Sequence, residues 1–198
     1  VSVEIRFATE ADADRVREIY APHVGESAAS FELTPPSTAE VRRRVAKTVD
    51  ERPWLVCEVD GTVAGYAYAS PFSDRGAYRW SVESSVYVHR ARRRNGIARG
   101  LYASLFELLR LQGFYNVYAG VTLPNPASVS LHESMGFEPV GTYENVGYKR
   151  GEWRDVGRWH LPLREHSSGP EPPASVSATR RLDGWDEALA AGLSSIRL

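Results

Sequence analysis

Of 198 residues, a single one is cysteine and a single one methionine. With only Cys57 there is no internal disulfide and no cysteine-rich metal site. In Trp54-Leu55-Val56-Cys57-Glu58-Val59 it stands in a β-rich run and reads as a small buried hydrophobe. No apolar run approaches the roughly 18 residues of a spanning helix. The opening VSVEIRFATE lacks the basic-then-apolar pattern of a signal peptide, so the expectation is a soluble cytoplasmic protein with no membrane partner. Net charge is nearly absent too, at −1. A general nucleic-acid binder rests on a broad basic field, and this chain has none.

What charge there is of one sign is local. The stretch HRARRRNGIARGLYASL, from His89 to Leu105, holds five arginines in ten positions before turning into an amphipathic helix. A local patch on a neutral background calls for a local target.

The length suits one α/β or α+β domain with an appendage. Val1, Val3, Ile5 and Phe7 alternate with polar residues as a half-buried strand. Thr9 to Asp12 forms a capping-box pattern ahead of Val16, Ile19, Tyr20 and Val24 at helical spacing. Pro35-Pro36-Ser37-Thr38 opens a second helix to about residue 50. Two β-rich runs then flank Asp60-Gly61, a hairpin signal because both residues tolerate positive φ. WSVESSVYV reads as a strand and Leu101, Leu105, Leu108 and Leu109 as the stripe of a helix stopped by Gly113. Another strand runs through Val117, Ala119 and Val121. Asn125-Pro126 caps a helix ending at Gly136, and two more β-rich runs flank a turn near Lys149 to Glu152. Hairpin strands followed by a βαβ unit predict a mixed sheet covered by helices. The boundaries drawn are 1–163 for this domain and 164–198 for a linker and tail with a possible short helix. Pattern alone admits a docked appendage or a frayed end there.

The arginine run sits between a strand ending Val86-Tyr87-Val88 and a helix start. A helix N-terminus offers unpaired N–H groups and partial positive charge, so small residues there let phosphates approach. Gly96 and Ala98 are small, and arginines add charge-assisted contacts. A Walker loop fails for want of Gly-Lys-Ser/Thr, and the dinucleotide fingerprint fails on glycine spacing. Arg93-Arg94-Asn95-Gly96-Ile97-Ala98 instead matches Arg/Gln-x-x-Gly-x-Gly/Ala, and resembles the acetyl-CoA loop of the GCN5-related N-acetyltransferases, the GNAT superfamily. Asn125, Ser128, His132, Gly136 and Phe137 fill that superfamily's next motif. WSVESSVYV, LPNPASVSLHESMGF and Gly147-x-Lys149-x-Gly151-x-Trp153-x-Asp155 are similar to its phosphinothricin and methionine sulfoximine branch, from about Arg6 to Leu163.

That resemblance implies a GNAT fold with an acetyl-CoA cleft, and transfer of acetyl from acetyl-CoA to the amine of a small amino acid or analogue, by a homodimer. It implies Glu83 as base and His132 as a second catalytic group, acid or base. Val86, Tyr87, Val88, Arg93, Arg94, Asn95, Gly96, Ile97, Ala98, Asn125 and Ser128 would hold acetyl-CoA. Phe31, Tyr68, Arg75 and Tyr78 would hold the acceptor. His23, His89, His160 and His166 show no metal-ligand spacing, and no metal is expected. Ser73 and Asp74 depart from the branch, which carries a lysine two positions before the arginine. One cation fewer leaves other amines open as acceptors: an antibiotic, a polyamine or a protein N-terminus. A non-catalytic acyl-CoA-binding module is the further alternative.

Overall fold

The computed structural model describes residues 1–198. Its strands are β1 (Val3–Phe7), β2 (Trp54–Val59), β3 (Thr62–Pro71), β4 (Ser81–Val88), β5 (Asn116–Leu123), β6 (Glu138–Lys149) and β7 (Glu152–Pro162). They form one sheet in the order β1-β2-β3-β4-β5-β7-β6, antiparallel everywhere except between β4 and β5. The helices are α1 (Ala13–Gly25), α2 (Thr38–Thr48), α3 (Ile97–Gln112), α4 (Pro126–Ser134), and the short α5 (Val176–Thr179) and α6 (Trp185–Ala190). No helix is long and apolar enough to cross a membrane.

Local chemistry explains the punctuation. Asp60 and Gly61 turn the β2–β3 hairpin with φ of 49° and 73°. Gly113, at φ 94°, ends α3 and donates to Leu109 and Arg110 carbonyls. Thr9 and Asp12 form the expected box, yet the first turn is 3-10 and α1 begins only at Ala13. There Asp12 also receives Arg6, which binds Glu58 as well.

Two cores lie on opposite faces of the sheet. One, with Val16, Ile19, Val41, Val45, Trp54 and Tyr66, seals α1 and α2. The larger is built on Leu101, Leu105, Leu108 and Leu109 of α3 together with Val82, Val117 and Trp159 of the strands. The latter extends past the drawn boundary at 163. Leu163, Val176, Trp185 and Ala188 are buried in it, and Trp185 stacks on Phe7 at 5.4 Å between ring centroids. The segment after Leu163 is therefore a docked appendage, with two short helices where one was expected.

β4 and β5 set up the site. They are the parallel pair, linked through α3, and their pairing covers only Ser81–Glu83 with Asn116–Tyr118. Beyond that point they separate. β4 stays paired with β3 as far as Val88, so its other edge is open from Ser84 onward.

Candidate active site

The gap between the two strands continues into a cleft of about 670 Å³. Its walls are β4 from Ser84 to Val88, β5 from Gly120 to Leu123, and the loop and start of α4 from Pro124 to Ser128. Arg93 and Ala98 line it at the N-terminus of α3, and Ser27, Ala28 and Ala29 come from the α1–α2 connection.

Of the residues expected to hold acetyl-CoA, Val86, Tyr87, Val88, Arg93, Ala98, Asn125 and Ser128 line the cleft. Arg94, Asn95, Gly96 and Ile97 do not. Ile97 is 1% exposed and belongs to the core. Asn95 accepts, at its carbonyl, the backbone N–H of Arg197 at 2.9 Å. Gly96 is in the left-handed region at φ 77°, and a Cβ there would collide with the Ser195 carbonyl. Its smallness makes room for the C-terminal segment, which crosses the loop. Gly100 repeats this one turn on, meeting the Gly192 carbonyl, and Ser104 donates to Leu189 O and accepts from Gly192 N.

His132 is 4% exposed and lines the cleft. Its Nδ1 lies 2.7 Å from the Ser128 carbonyl, which can only accept, so Nδ1 carries the proton. Nε2 is left as an acceptor, 3.2 Å from the hydroxyl of Tyr102, which in turn takes a 3.4 Å bond from Ser84 Oγ. Burial pulls the imidazole below its ordinary value, with the Ser128 bond opposing weakly, while burial raises the Tyr102 phenol well above its own. Tyr102 and Ser84, both cleft-lining, were missed in the sequence. Tyr102 was legible as the residue one helical turn beyond Ala98, hidden by its neighbours in the apolar stripe.

Glu83, expected as the base, stands apart from the cleft wall. It does not line the cleft; its Oε1 is taken by Arg158 of β7. β5 lies between them, and Gly120, paired with Arg158, lets the guanidinium cross, since a Cβ at that position would sit 2.8 Å from Arg158 Nη1. Glu83, Ser85 and Tyr87 project to the α1–α2 face of the sheet, where Tyr87 packs on Tyr20 and His23. Ser84 projects to the other face, toward Tyr102. The two chemical groups thus stand on opposite sides of the strand gap.

None of the four expected acceptor residues lines this cleft, although Tyr68 is paired with Ser85, which does. Phe31 packs where a side chain on Gly147 would be, and Tyr68 stacks on Trp54 at 4.2 Å beside a separate cavity of about 230 Å³. Arg75 and Tyr78 lie exposed on the β3–β4 connection, Tyr78 against Phe72. Lys149, by contrast, ties down the α1–α2 connection, its buried Nζ donating to the carbonyls of Val24, Ser30 and Glu32 at 2.5–2.7 Å.

A family model described as an acetyltransferase (GNAT) domain matches residues 5–157. The chain belongs to the GNAT acetyltransferases. It is 42% identical, over 91% of its length and 96% of the relative's, to a phosphinothricin N-acetyltransferase of Streptomyces viridochromogenes. It is 35% identical to an L-methionine sulfoximine/L-methionine sulfone acetyltransferase of Salmonella typhimurium, over 83% and 96% of the two chains. Among solved structures, a phosphinothricin acetyltransferase of Sinorhizobium meliloti in complex with acetyl-CoA superposes with a TM-score of 0.80 at 34% identity, covering 87% of this chain and 97% of that one. A Salmonella typhimurium acetyltransferase with acetyl-CoA gives 0.82 at 34%, covering 86% and 99%.

As a GNAT acetyltransferase the chain is an acetyl-CoA-dependent enzyme, and its cleft suits that co-substrate. The open edge of β4 can pair with amides of an extended arm. The first turn of α3, with Arg93 beside it, offers N–H groups and positive charge to phosphates. Asn125 caps α4 through Oδ1, 3.2 Å from Ser128 N, which leaves its amide NH₂ to donate elsewhere.

Proposed function

We propose that this GNAT acetyltransferase moves the acetyl group of acetyl-CoA to the α-amine of a small amino acid or analogue of the phosphinothricin or methionine sulfoximine type. The observation that carries the reading is the strand gap, with a carboxylate on one face and a buried tyrosine–histidine pair on the other.

Acetyl-CoA supplies the activated thioester. An alkyl ammonium is about one part in a thousand free base at pH 7, so deprotonation costs about 4 kcal/mol. It must lose two protons in all, one before attack and one after, and the departing thiolate regains one. Glu83, with Oε1 held by Arg158, takes the first proton through water on the α1–α2 face. Tyr102 passes the second to Nε2 of His132, whose neutral state leaves it ready to accept, and the same pair returns it to the thiolate. His132 then acts as base and acid in turn. Backbone N–H groups on the free edge of β4, around Val86 to Val88, are placed to stabilise the carbonyl oxygen as it gains charge. Arg93, Ala98, Asn125 and Ser128 contact acetyl-CoA, and Arg94 to Ile97 shape the loop that holds it.

We also infer a homodimer. β6 is the sheet edge, and the β6–β7 hairpin leaves Val140, Tyr143, Val146, Tyr148 and Trp153 more than half exposed, a patch that a second copy would cover.

A thiol-release assay across methionine sulfone, methionine sulfoximine, phosphinothricin, ordinary amino acids, polyamines and aminoglycosides tests the acceptor. Turnover confined to polyamines or aminoglycosides would refute it. Glu83→Gln, Tyr102→Phe and His132→Ala should each cut kcat by about 10²-fold or more, as expected for lost acid–base catalysis.

A further inference from the structure

The chain beyond residue 191 crosses the cofactor loop, and its contacts there are backbone to backbone. The carbonyl of Asn95 accepts the N–H of Arg197 at 2.9 Å. Just before that bond Ile196 packs on the larger core, and further back the chain is pinned to α3 by Ser104, which donates to Leu189 O and accepts from Gly192 N. Gly100 and Gly192 let the two backbones meet. A Cβ on Gly100 would lie 2.7 Å from the Gly192 carbonyl, and one on Gly192 would strike the Gly100 carbonyl. The family match covers residues 5–157 and so stops short of this segment.

The segment stands behind the loop and leaves the cleft clear. Residues of a helix turn by about 100° each, so Ala98 and Tyr102, which line the cleft, lie nearly opposite Gly96, Gly100 and Ser104, which face the segment. None of residues 192–198 lines the cleft. What the segment touches is a backbone that needs holding. Arg94 and Gly96 are both left-handed, at φ 66° and 77°, and for Arg94 that conformation persists only where the surroundings impose it. The Asn95–Gly96 bond is trans, so its carbonyl and its N–H point in opposite directions. With the carbonyl fixed toward Arg197, the Gly96 N–H is aimed away from the segment. That amide, with those of Ile97 and Ala98, belongs to the set at the head of a helix that phosphates use.

Resting on the placement of the acetyl-CoA phosphates at the head of α3, we propose that residues 192–198 are a strap that positions the phosphate-binding loop from behind, with the Arg197 N–H orienting the Asn95–Gly96 peptide. Amides already in place bind an anion more tightly, because no ordering remains to be done when it arrives. The strap acts on the part of the donor that carries phosphates. The arm and thioester are held elsewhere, along the open edge of β4 and at Asn125.

The test sets acetyl-CoA against S-acetylpantetheine, which keeps the thioester and the amide arm and lacks every phosphate. Affinity for the first is measured by calorimetry and for the second by displacement, in full-length wild type, Gly192→Ala, Arg197→Pro and Arg197→Ala. Gly192 has an ordinary φ of −87°, so alanine there leaves its backbone unstrained and acts only by lifting the strap from Gly100. Proline at 197 removes the N–H, and Ile196, extended at φ −89° and ψ 128°, accepts a proline after it. Both variants should weaken acetyl-CoA about tenfold, the worth of one hydrogen bond to a charged oxygen, and leave S-acetylpantetheine unchanged. Arg197→Ala keeps the N–H and should keep the selectivity that Arg197→Pro loses. Wild type that binds the two donors equally well overturns the placement of the phosphates at α3 and this proposal together. Wild type that favours acetyl-CoA while Gly192→Ala or Arg197→Pro keeps the same preference overturns the strap alone. So does an equal loss for both donors, or a loss in Arg197→Ala as large as in Arg197→Pro.

Discussion

Replacing Gly96 by alanine separates two reasons for a glycine at one position. The backbone has φ 77°, which costs an L-residue about 1–2 kcal/mol whatever its surroundings. The added methyl would also run into the Ser195 carbonyl, with Ile196 Cα 3.3 Å away. Both are backbone atoms and cannot swing aside. Overpacking of this sort costs about 1–3 kcal/mol. In the full chain Gly96→Ala should therefore lose about 2–5 kcal/mol, a fall in Tm of roughly 4–20 °C for a chain of this size. In a chain ending at Ala191 the obstructing carbonyl is gone and only the backbone part, about 1–2 kcal/mol, should remain. The four proteins form a double-mutant cycle, read by urea denaturation with m-values compared to check for two-state unfolding. A coupling of about 1–3 kcal/mol is expected. Equal losses in the long and short chains would show that the C-terminal segment does not lie on Gly96, and would return that residue to the service of phosphates alone.

Three further outcomes follow from the same structure. Burial lowers the His132 pKa, so the stability it contributes is present above the ordinary imidazole value of 6.5 and is lost as pH falls below it; from pH 7.5 to 5.5 wild type should lose more unfolding free energy than His132→Gln, and equal slopes would contradict a neutral buried ring. Asp12 is pushed up by its burial but held lower overall by Arg6 and by Thr9, so its contribution is complete above the ordinary carboxylate value and disappears as pH falls through the depressed one. Asp12→Asn should cost about 2 kcal/mol at pH 7, below the full figure for a buried pair because Arg6 is 28% exposed, and nothing once Asp12 is protonated in wild type; a loss unchanged down to pH 2 would refute the ion-pair account. Lys149→Met leaves the carbonyls of Val24 at the end of α1 and of Ser30 and Glu32 in the α1–α2 connection without this donor and should cost about 2–4 kcal/mol, with faster proteolysis between Gly25 and Ser37; unchanged cleavage there would mean the connection is held by other contacts.

Features written within a few neighbouring residues were legible. Strand alternation at Val3 to Phe7, the Asp60-Gly61 turn, the stripe of α3 and the Asn125 cap all depend on local periodicity or backbone preference, and the order of strands and α-helices up to residue 163 came through intact. So did the strand-to-helix junction at Arg93 to Ala98, because a phosphate site of this type is itself local. The pairings that decide the chemistry are not local. Glu83 meets Arg158 from 75 residues away, across a strand whose glycine opens the path. Val86 and Arg75 come from one continuous segment, yet one lines the cleft and the other is exposed on the β3–β4 connection.

The same distinction explains why small residues misled and arginines were overcounted. Gly96 has the size a phosphate loop needs, but size does not say what approaches, and here the neighbour is Ser195, ninety-nine positions on. Of the five arginines in the run, only Arg93 lines the cleft, while Arg99 reaches instead to Ser134. An exposed arginine contributes a field that salt screens within about 10 Å. Charge density along the chain marks that loop; what packs on it is set by the far C-terminal segment.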